Sequence, residues 1–418
     1  MKLLTTFAIA IALVLPVASH AKPWHYTMLH NFCTQGDCAD GNFPAAGLVA
    51  DAKGNLFGVT ETGGAHDNGV LFELERHRAE YTFKILHDFC FSCEDASFPI
   101  ASLIADIRGN IYGVSVGGGA HDCGTVFRFS PAKNKLKVLH DFCTQDGDGN
   151  SVDSALSYAG KNAGALYDGV SPLFGTTASG GANGHGTAFS LTPSGVSWTL
   201  STLYAFCAQA SCGDGEEPSG EVLVDDAGNL FGNAGTANSG GVVYELSPAA
   251  GGGPMTEAII HTFCTNCSDG EGPVGALVLT SAGEIMGTTE NANGSEGGAI
   301  FKLTPNGGGW DENVVHVFCA GNCKDGYAPS GGLILDSRGN VYGMNALGGT
   351  GENGVGGGTA YRFNGTKLVK LYDFCSEPSC GDGRVPMGML TKDHGNLFGV
   401  TSQGGPVTAA GTVFELHP

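Results

Sequence analysis

Short runs in which apolar and polar residues alternate, punctuated by glycine, asparagine and aspartate, dominate the chain and predict β-strands. From Gly47 to Phe89 the runs read GLVAD, LFGVT, GVLFELE and YTFKILHDF, joined by the turn AKGN, a Gly-Gly loop and a polar connection. Nothing in the pattern predicts a helix of any length. The frame returns on Phe32, Phe89, Phe142, Phe206, Phe263, Phe318 and Phe374, at spacings of 57, 53, 64, 57, 55 and 56 residues. A period of this length with four strand-like runs per copy predicts a repeat architecture of small sheets.

The turn between the first two runs recurs as Asp51–Asn55, Asp106–Asn110, Asp225–Asn229 and Asp336–Asn340, each with glycine before the final asparagine. That glycine suits a short hairpin needing positive φ. The second run carries an internal glycine in every copy, from Gly58 through Gly175 to Gly399, which marks either a bulge or a close backbone approach. The third run ends on an aromatic: Phe72, Phe127, Phe189, Tyr244, Phe301, Tyr361 or Phe414. The expected fold is therefore all-β, a seven-bladed β-propeller with four-stranded blades. Its phase leaves the last copy one strand short and an unpaired strand at Tyr26–Phe32. Residues 24–32 are expected to pair with Gly411–Leu416, close the ring and remove both sheet edges.

The phrase DAKGNLFGVT-ETGG, followed by GVLFEL and LHDF, resembles the GloVer tandem repeat of exported bacterial proteins that carry a choice of C-terminal anchors. The resemblance spans nearly the whole chain after the leader and implies export and fold, with no activity to carry over. Against that resemblance no anchor is expected here, and cysteine pairs are added to the loops.

Residues 1–21 read as a signal peptide: Lys2, an apolar stretch from Leu3 to Leu15, and the small-residue site Ser19-His20-Ala21. Residues 22–418 are then a single propeller domain, periplasmic or secreted, with no span of the roughly 20 apolar residues that a bilayer needs. The 14 cysteines fit an oxidising compartment. Expected disulfides are Cys33–Cys38, Cys90–Cys93, Cys207–Cys212, Cys264–Cys267, Cys319–Cys323 and Cys375–Cys380. The two cysteines left over, Cys123 and Cys143, sit beside each other if the second copy's third and fourth strands pair. A structural zinc needs four ligands close together, and these pairs recur one per repeat. The net charge of −21 excludes a nucleic-acid footprint.

Candidate chemistry is sparse. The cysteine loops hold Asp37, Asp40, Glu94, Asp95, Asp146, Asp148, Asp214, Glu216, Glu217, Asp269, Glu271, Asp325 and Asp382, which predicts one acidic, disulfide-braced face. Alternating oxygens at Asp146, Asp148 and Asn150 resemble the start of a calcium loop, without its glycine or distal glutamate. Otherwise no cofactor is expected. Histidines two residues before the repeat phenylalanine (His30, His87, His140, His261, His316) read as packing residues with a satisfied polar tip. The channel mouth is small or apolar except at Asp153 and Glu221. These features favour a binding or scaffold propeller for an extracellular glycan or protein. The alternative is a polysaccharide lyase or glycoside hydrolase using Asp153 and Glu221 as its carboxylate pair.

Overall fold

Each repeat begins with the turn that its sequence anticipates. Asp51 Oδ1 accepts the backbone N–H of Lys53 and of Asn55 at 2.8 and 2.9 Å, and Asn55 Nδ2 donates to Asp51 Oδ2 at 3.1 Å. Gly54 sits at φ 81°, as the turn requires. The same bonds recur at Asp106, Asp225 and Asp336. The computed structural model describes residues 24–78, 80–91, 95–145, 147–236, 239–249, 253–264, 269–292, 297–351, 356–406 and 410–418. The expected signal peptide lies outside them.

The described chain is all-β with almost no helix, a propeller-like arrangement of small sheets. In the first repeat Val49–Ala50, Leu56–Val59, Val70–His77 and Glu80–Asp88 follow one another as an antiparallel meander. The second repeat (Ile104–Ala105 to Lys135–Asp141) and the fourth (Glu216–Val224 to Thr256–Thr262) do likewise. The fifth and sixth share one eight-stranded sheet, two meanders joined by a single parallel bridge between Ala276 and Gly332. In the last sheet His25–Asn31 runs antiparallel to Thr412–His417, from His25 opposite His417 to Asn31 opposite Thr412.

The third repeat corrects the expectation of four strands in every unit. It keeps Leu173–Thr177, Thr187–Ser194 and Ser197–Ala205, and a lone bridge between Ser157 and Phe174 replaces its inner strand. Gly160, Gly164 and Gly169, all at positive φ, turn the chain away from a strand there.

The glycine of each second strand faces the aromatic of the third: Gly58 opposite Phe72, Gly287 opposite Phe301, Gly399 opposite Phe414. A Cβ on Gly287 would lie 2.5 Å from Phe301 Cζ, so the glycine serves a close approach. The bulge falls instead on the outer strand, at Leu86 opposite the Leu71/Phe72 step, and at its equivalents. Each repeat phenylalanine is fully buried and meets the next aromatic at a tilted or edge-on angle, as in Phe32–Phe72 (5.3 Å), Phe263–Phe301 (5.1 Å) and Phe374–Phe414 (4.9 Å). Its backbone N–H donates to a glycine carbonyl before a third strand: Phe89 to Gly69, Phe206 to Gly186, Phe32 to Gly411.

Candidate functional site

The cysteine loops are built around an inward-turned aspartate. Asp214 accepts from the Tyr204 hydroxyl at 2.6 Å and from the Ala208 and Gln209 N–H groups at 2.8 and 3.0 Å. Asp382 does the same with Tyr372 (2.7 Å), Ser376 and Glu377. Where the sequence has histidine in place of tyrosine, the imidazole Nε2 lies within 3.5 Å of the matching carboxylate. These pairs are His30–Asp40, His87–Asp95, His140–Asp148, His261–Asp269 and His316–Asp325. Burial pushes the His30 imidazole down to about 4 against the pull of Asp40, and lowers His140 and His261 in the same way. The ring is then neutral near pH 7, and His140 Nε2 lies within hydrogen-bond reach of Asp148, at 3.3 Å. The histidines thus pack against the repeat phenylalanines, as in His140–Phe142 (4.8 Å), with the ring tip turned to an aspartate. A fixed interval of eight to ten residues between the ring and an aspartate was the sequence signal for the pairing.

Disulfides Cys33–Cys38, Cys207–Cys212, Cys319–Cys323 and Cys375–Cys380 close four of these loops. Both cysteines of each pair take left-handed φ, between 49° and 60°. Such a conformation costs a non-glycine residue about 1–2 kcal/mol and persists only when neighbours over-determine it. Here the disulfide and the buried aspartate do so together. Cys123–Cys143 is also bonded. Cys90 and Cys264 are disulfide-bonded, while their expected partners Cys93 and Cys267 lie outside the described residues.

This geometry narrows the acidic face expected from the loops: Asp37 and Glu217 stay exposed, Glu94 lies outside the described residues, and the aspartates that follow the rings turn inward. Asp40, Asp148, Asp214 and Asp382 are buried, and Asp95, Asp269 and Asp325 face their histidines. Their charge is committed to the loops' own backbone. Asp148, one of the proposed calcium ligands, is the third repeat's copy of this lock: it accepts from Cys143 N–H, lies 3.3 Å from Thr144 Oγ1 and faces His140. Asn150 bridges to Ser179, and Asp146 lies outside the described residues. On the same side, Phe91 and Phe98 stand 45% and 36% exposed beside His66 and Asn68, forming a shallow aromatic depression.

The two carboxylates considered for catalysis sit in different surroundings. Asp153 is half-buried, and burial with Glu217 nearby raises it to about 6 even though its own backbone hydrogen bond lowers it. Glu221 sits 2.6 Å from Lys161 Nζ. His185, Cys207, Cys212 and Glu216 gather four potential ligand atoms within 4.8 Å, but both sulfurs are held in the disulfide.

Inner strands of neighbouring repeats meet at glycines. A Cβ on Gly220 would reach Gly275 O at 2.5 Å, one on Gly331 would reach Gly388 O at 1.9 Å, and one on Gly388 would reach Gly47 N at 2.3 Å. The positions expected to line an open mouth therefore pack backbone on backbone. Toward the Asp-x-x-Gly-Asn turns a cavity of about 770 Å³ opens. Its wall is aliphatic: Leu223, Leu277, Leu279, Leu333, Leu335 and Met389. The third repeat's insertion, carrying Lys161 and Asn162, enters it. Asn162 pairs with the backbone of Leu279, donating to its carbonyl at 3.1 Å and accepting its N–H at 3.4 Å. Sequence reasoning missed both residues; the 64-residue spacing of this repeat was the only sign of them.

The Gloeobacter/Verrucomicrobia repeat pattern matches residues 20–170, 156–355 and 233–418. Among curated proteins none matches the sequence. Among solved structures the chain is similar to the extracellular domain of a protein assigned to a hybrid two-component system in B. thetaiotaomicron (TM-score 0.55, 11% identity, 93% of this chain and 39% of that one). It is also similar to an oligogalacturonate lyase from Vibrio parahaemolyticus (0.53, 9%, 95% and 97%). A third likeness is to a puromycin-hydrolyzing peptidase from Mycobacterium tuberculosis (0.52, 11%, 89% and 50%). At these identities the likeness extends to the fold alone. The chain spans well under half of the first of these structures.

Proposed function

The chain belongs to the Gloeobacter/Verrucomicrobia repeat family, and from that premise we propose that it is an extracytoplasmic binding scaffold, a single seven-bladed propeller domain whose ring closes through its N-terminal strand. Closure rests on a junction that recurs between the last repeat and the first. Phe32 N–H meets Gly411 O as Phe89 meets Gly69, and Pro44 covers Gly411 as Pro218 covers Gly186. Phe32, Leu56, Phe72, Phe398 and Val413, drawn from both ends of the chain, share one buried cluster. Five described disulfides favour an oxidising location, periplasmic or secreted. Among the described residues no helix is long and apolar enough to cross a membrane.

The binding role is carried by the locked loops. Their aspartates are held by backbone N–H groups and by histidine or tyrosine, so the loops present a rigid surface with little ordering cost on association. Phe91 and Phe98 supply an exposed aromatic contact there for a glycan or protein ligand. Capture of ligand on a glycan and protein array, lost in Phe91→Ser with Phe98→Ser, would support this reading. Undiminished capture by the double variant would refute this contact.

One observation favours the alternative of a polysaccharide lyase or hydrolase: Asp153, at about 6, suits a general acid–base group near neutral pH. Turnover of a polysaccharide panel, abolished by Asp153→Asn or Glu221→Gln, would establish it. Binding without turnover favours the scaffold.

A further inference from the structure

We infer that the cavity between the inner strands is a binding site for a small aliphatic amine, a ligand class on a face opposite the locked loops. The inference deepens the binding reading by adding a second surface to it. The cavity already holds one alkylammonium group, the side chain of Lys161. Its Nζ lies 2.6 Å from Glu221 Oε2 and donates to the Leu156 carbonyl at 3.2 Å. The Glu221 side chain is only 10% exposed, and a carboxylate so buried needs a cation beside it. Among the described residues Lys161 is the one basic residue lining the space, whereas Glu221 and Asp226 line it with acid, beside the turn-held Asp225 and Asp336. Anions are disfavoured there and cations drawn in.

The rest of the lining selects among cations. Among the described residues the apolar wall is aliphatic, with no aromatic ring, and so takes methylene chains rather than flat or quaternary groups that aromatic cages hold. About 770 Å³ leaves room for a second alkyl chain beside that of Lys161. A diamine satisfies both ends: one ammonium at Glu221, the other at the exposed Asp226 on the turn, since Asp225 and Asp336 are held by their own turns and Asp336 lies 3.4 Å from Lys392 Nζ. Lys161, tethered on the insertion that only the third repeat possesses, competes with that ligand. It keeps Glu221 paired when the site is empty and lowers the apparent affinity for anything that must displace it.

The probe is 1,6-diaminohexane, titrated calorimetrically into the oxidised chain at low salt beside hexane-1,6-diol and adipate, which have similar length but are neutral and anionic. The diamine should bind at least about tenfold more tightly than either, a difference of about 1.4 kcal/mol. Lys161→Met, which removes the competitor and keeps an unbranched apolar chain, should tighten diamine binding about tenfold, and Glu221→Gln should weaken it by a similar factor. Asp226→Asn, on an exposed turn, gives a smaller weakening without touching the buried pair and serves if either of the other variants fails to fold. Equal binding of diol and diamine overturns the inference, as does no binding of any probe by the parent chain. So does unchanged diamine affinity in a folded Lys161→Met protein. These results leave the array experiment untouched, because Phe91 and Phe98 lie on the loop side.

Discussion

Ring closure can be tested by two substitutions that are equivalent in surroundings and different in chain position. Phe32 and Phe263 are both fully buried. Phe32 meets Phe72 at 5.3 Å and Phe263 meets Phe301 at 5.1 Å. Phe263 joins two successive repeats in the middle of the chain. Phe32 lies just past a strand paired to the last repeat, while its ring packs on the first. Truncating a buried phenylalanine to alanine costs about 3–5 kcal/mol, from lost transfer energy and the cavity left behind. In a closed ring Phe32→Ala should fall in that range and agree with Phe263→Ala to within about 1 kcal/mol. In an open array the terminal strand frays, its phenylalanine is partly solvated, and the cost drops toward that of an exposed residue, about 0.5 kcal/mol or less. Equilibrium guanidinium unfolding of the oxidised chain measures both differences from shifts in midpoint at constant slope. A Phe32→Ala protein as stable as its parent, beside a strongly weakened Phe263→Ala protein, would refute closure.

Four further outcomes are expected. Gly287→Ala places a methyl 2.5 Å from Phe301 Cζ and 2.6 Å from Leu277 Cδ2, and should cost about 1–3 kcal/mol in the same denaturation assay. Tyr204→Phe removes a hydroxyl that donates to buried Asp214, and should cost about 1–3 kcal/mol because the carboxylate loses a partner. His30 titrates near 4 when folded and near 6.5 when unfolded, so the unfolded chain binds more protons between these values. Melting temperature should therefore hold above about pH 6.5 and fall as pH drops toward 4, with part of the slope removed in His30→Gln. Because Asp148 is already engaged by Cys143, Thr144 and His140, melts in EDTA and in excess calcium should coincide; a clear calcium-dependent rise would instead support the Asp146–Asn150 loop as a metal site.

The repeating part of the fold was legible because its causes are local and periodic. A glycine one position before asparagine specifies a hairpin whether or not the rest of the sheet is known, and Asp51–Asn55 forms the expected bonds. The pairing of Cys123 with Cys143 followed from antiparallel neighbours, without any local motif. The glycine of the second strand was ambiguous, since a bulge and a close approach use the same residue. Only the position of Phe301 over Gly287 decides between them. The acidic loops misled for a different reason. Charge in a sequence carries no direction, and several of the aspartates that counted toward an acidic face, Asp214 and Asp382 among them, turn inward to backbone N–H groups and rings.

Periodicity also explains where the site was hidden. A residue that recurs in every repeat is first accounted for by the lattice, as with Phe32 and its equivalents, His30 and its equivalents, and the strand glycines. A function particular to this chain must then sit where one repeat departs from the others. The third repeat gives up its inner strand, and with the residues released it sends Lys161 to Glu221 of the fourth repeat and Asn162 to Leu279 of the fifth. Neither contact has a periodic counterpart, and neither partner is near in sequence, so pattern alone had no means of joining them. An unstrained inner strand would have satisfied its own backbone at less cost. Replacing it by an irregular segment held through side chains on two other repeats is a local loss of regularity. Its visible product, among the described residues, is a cavity lined by one cation and several acids in an otherwise repetitive fold.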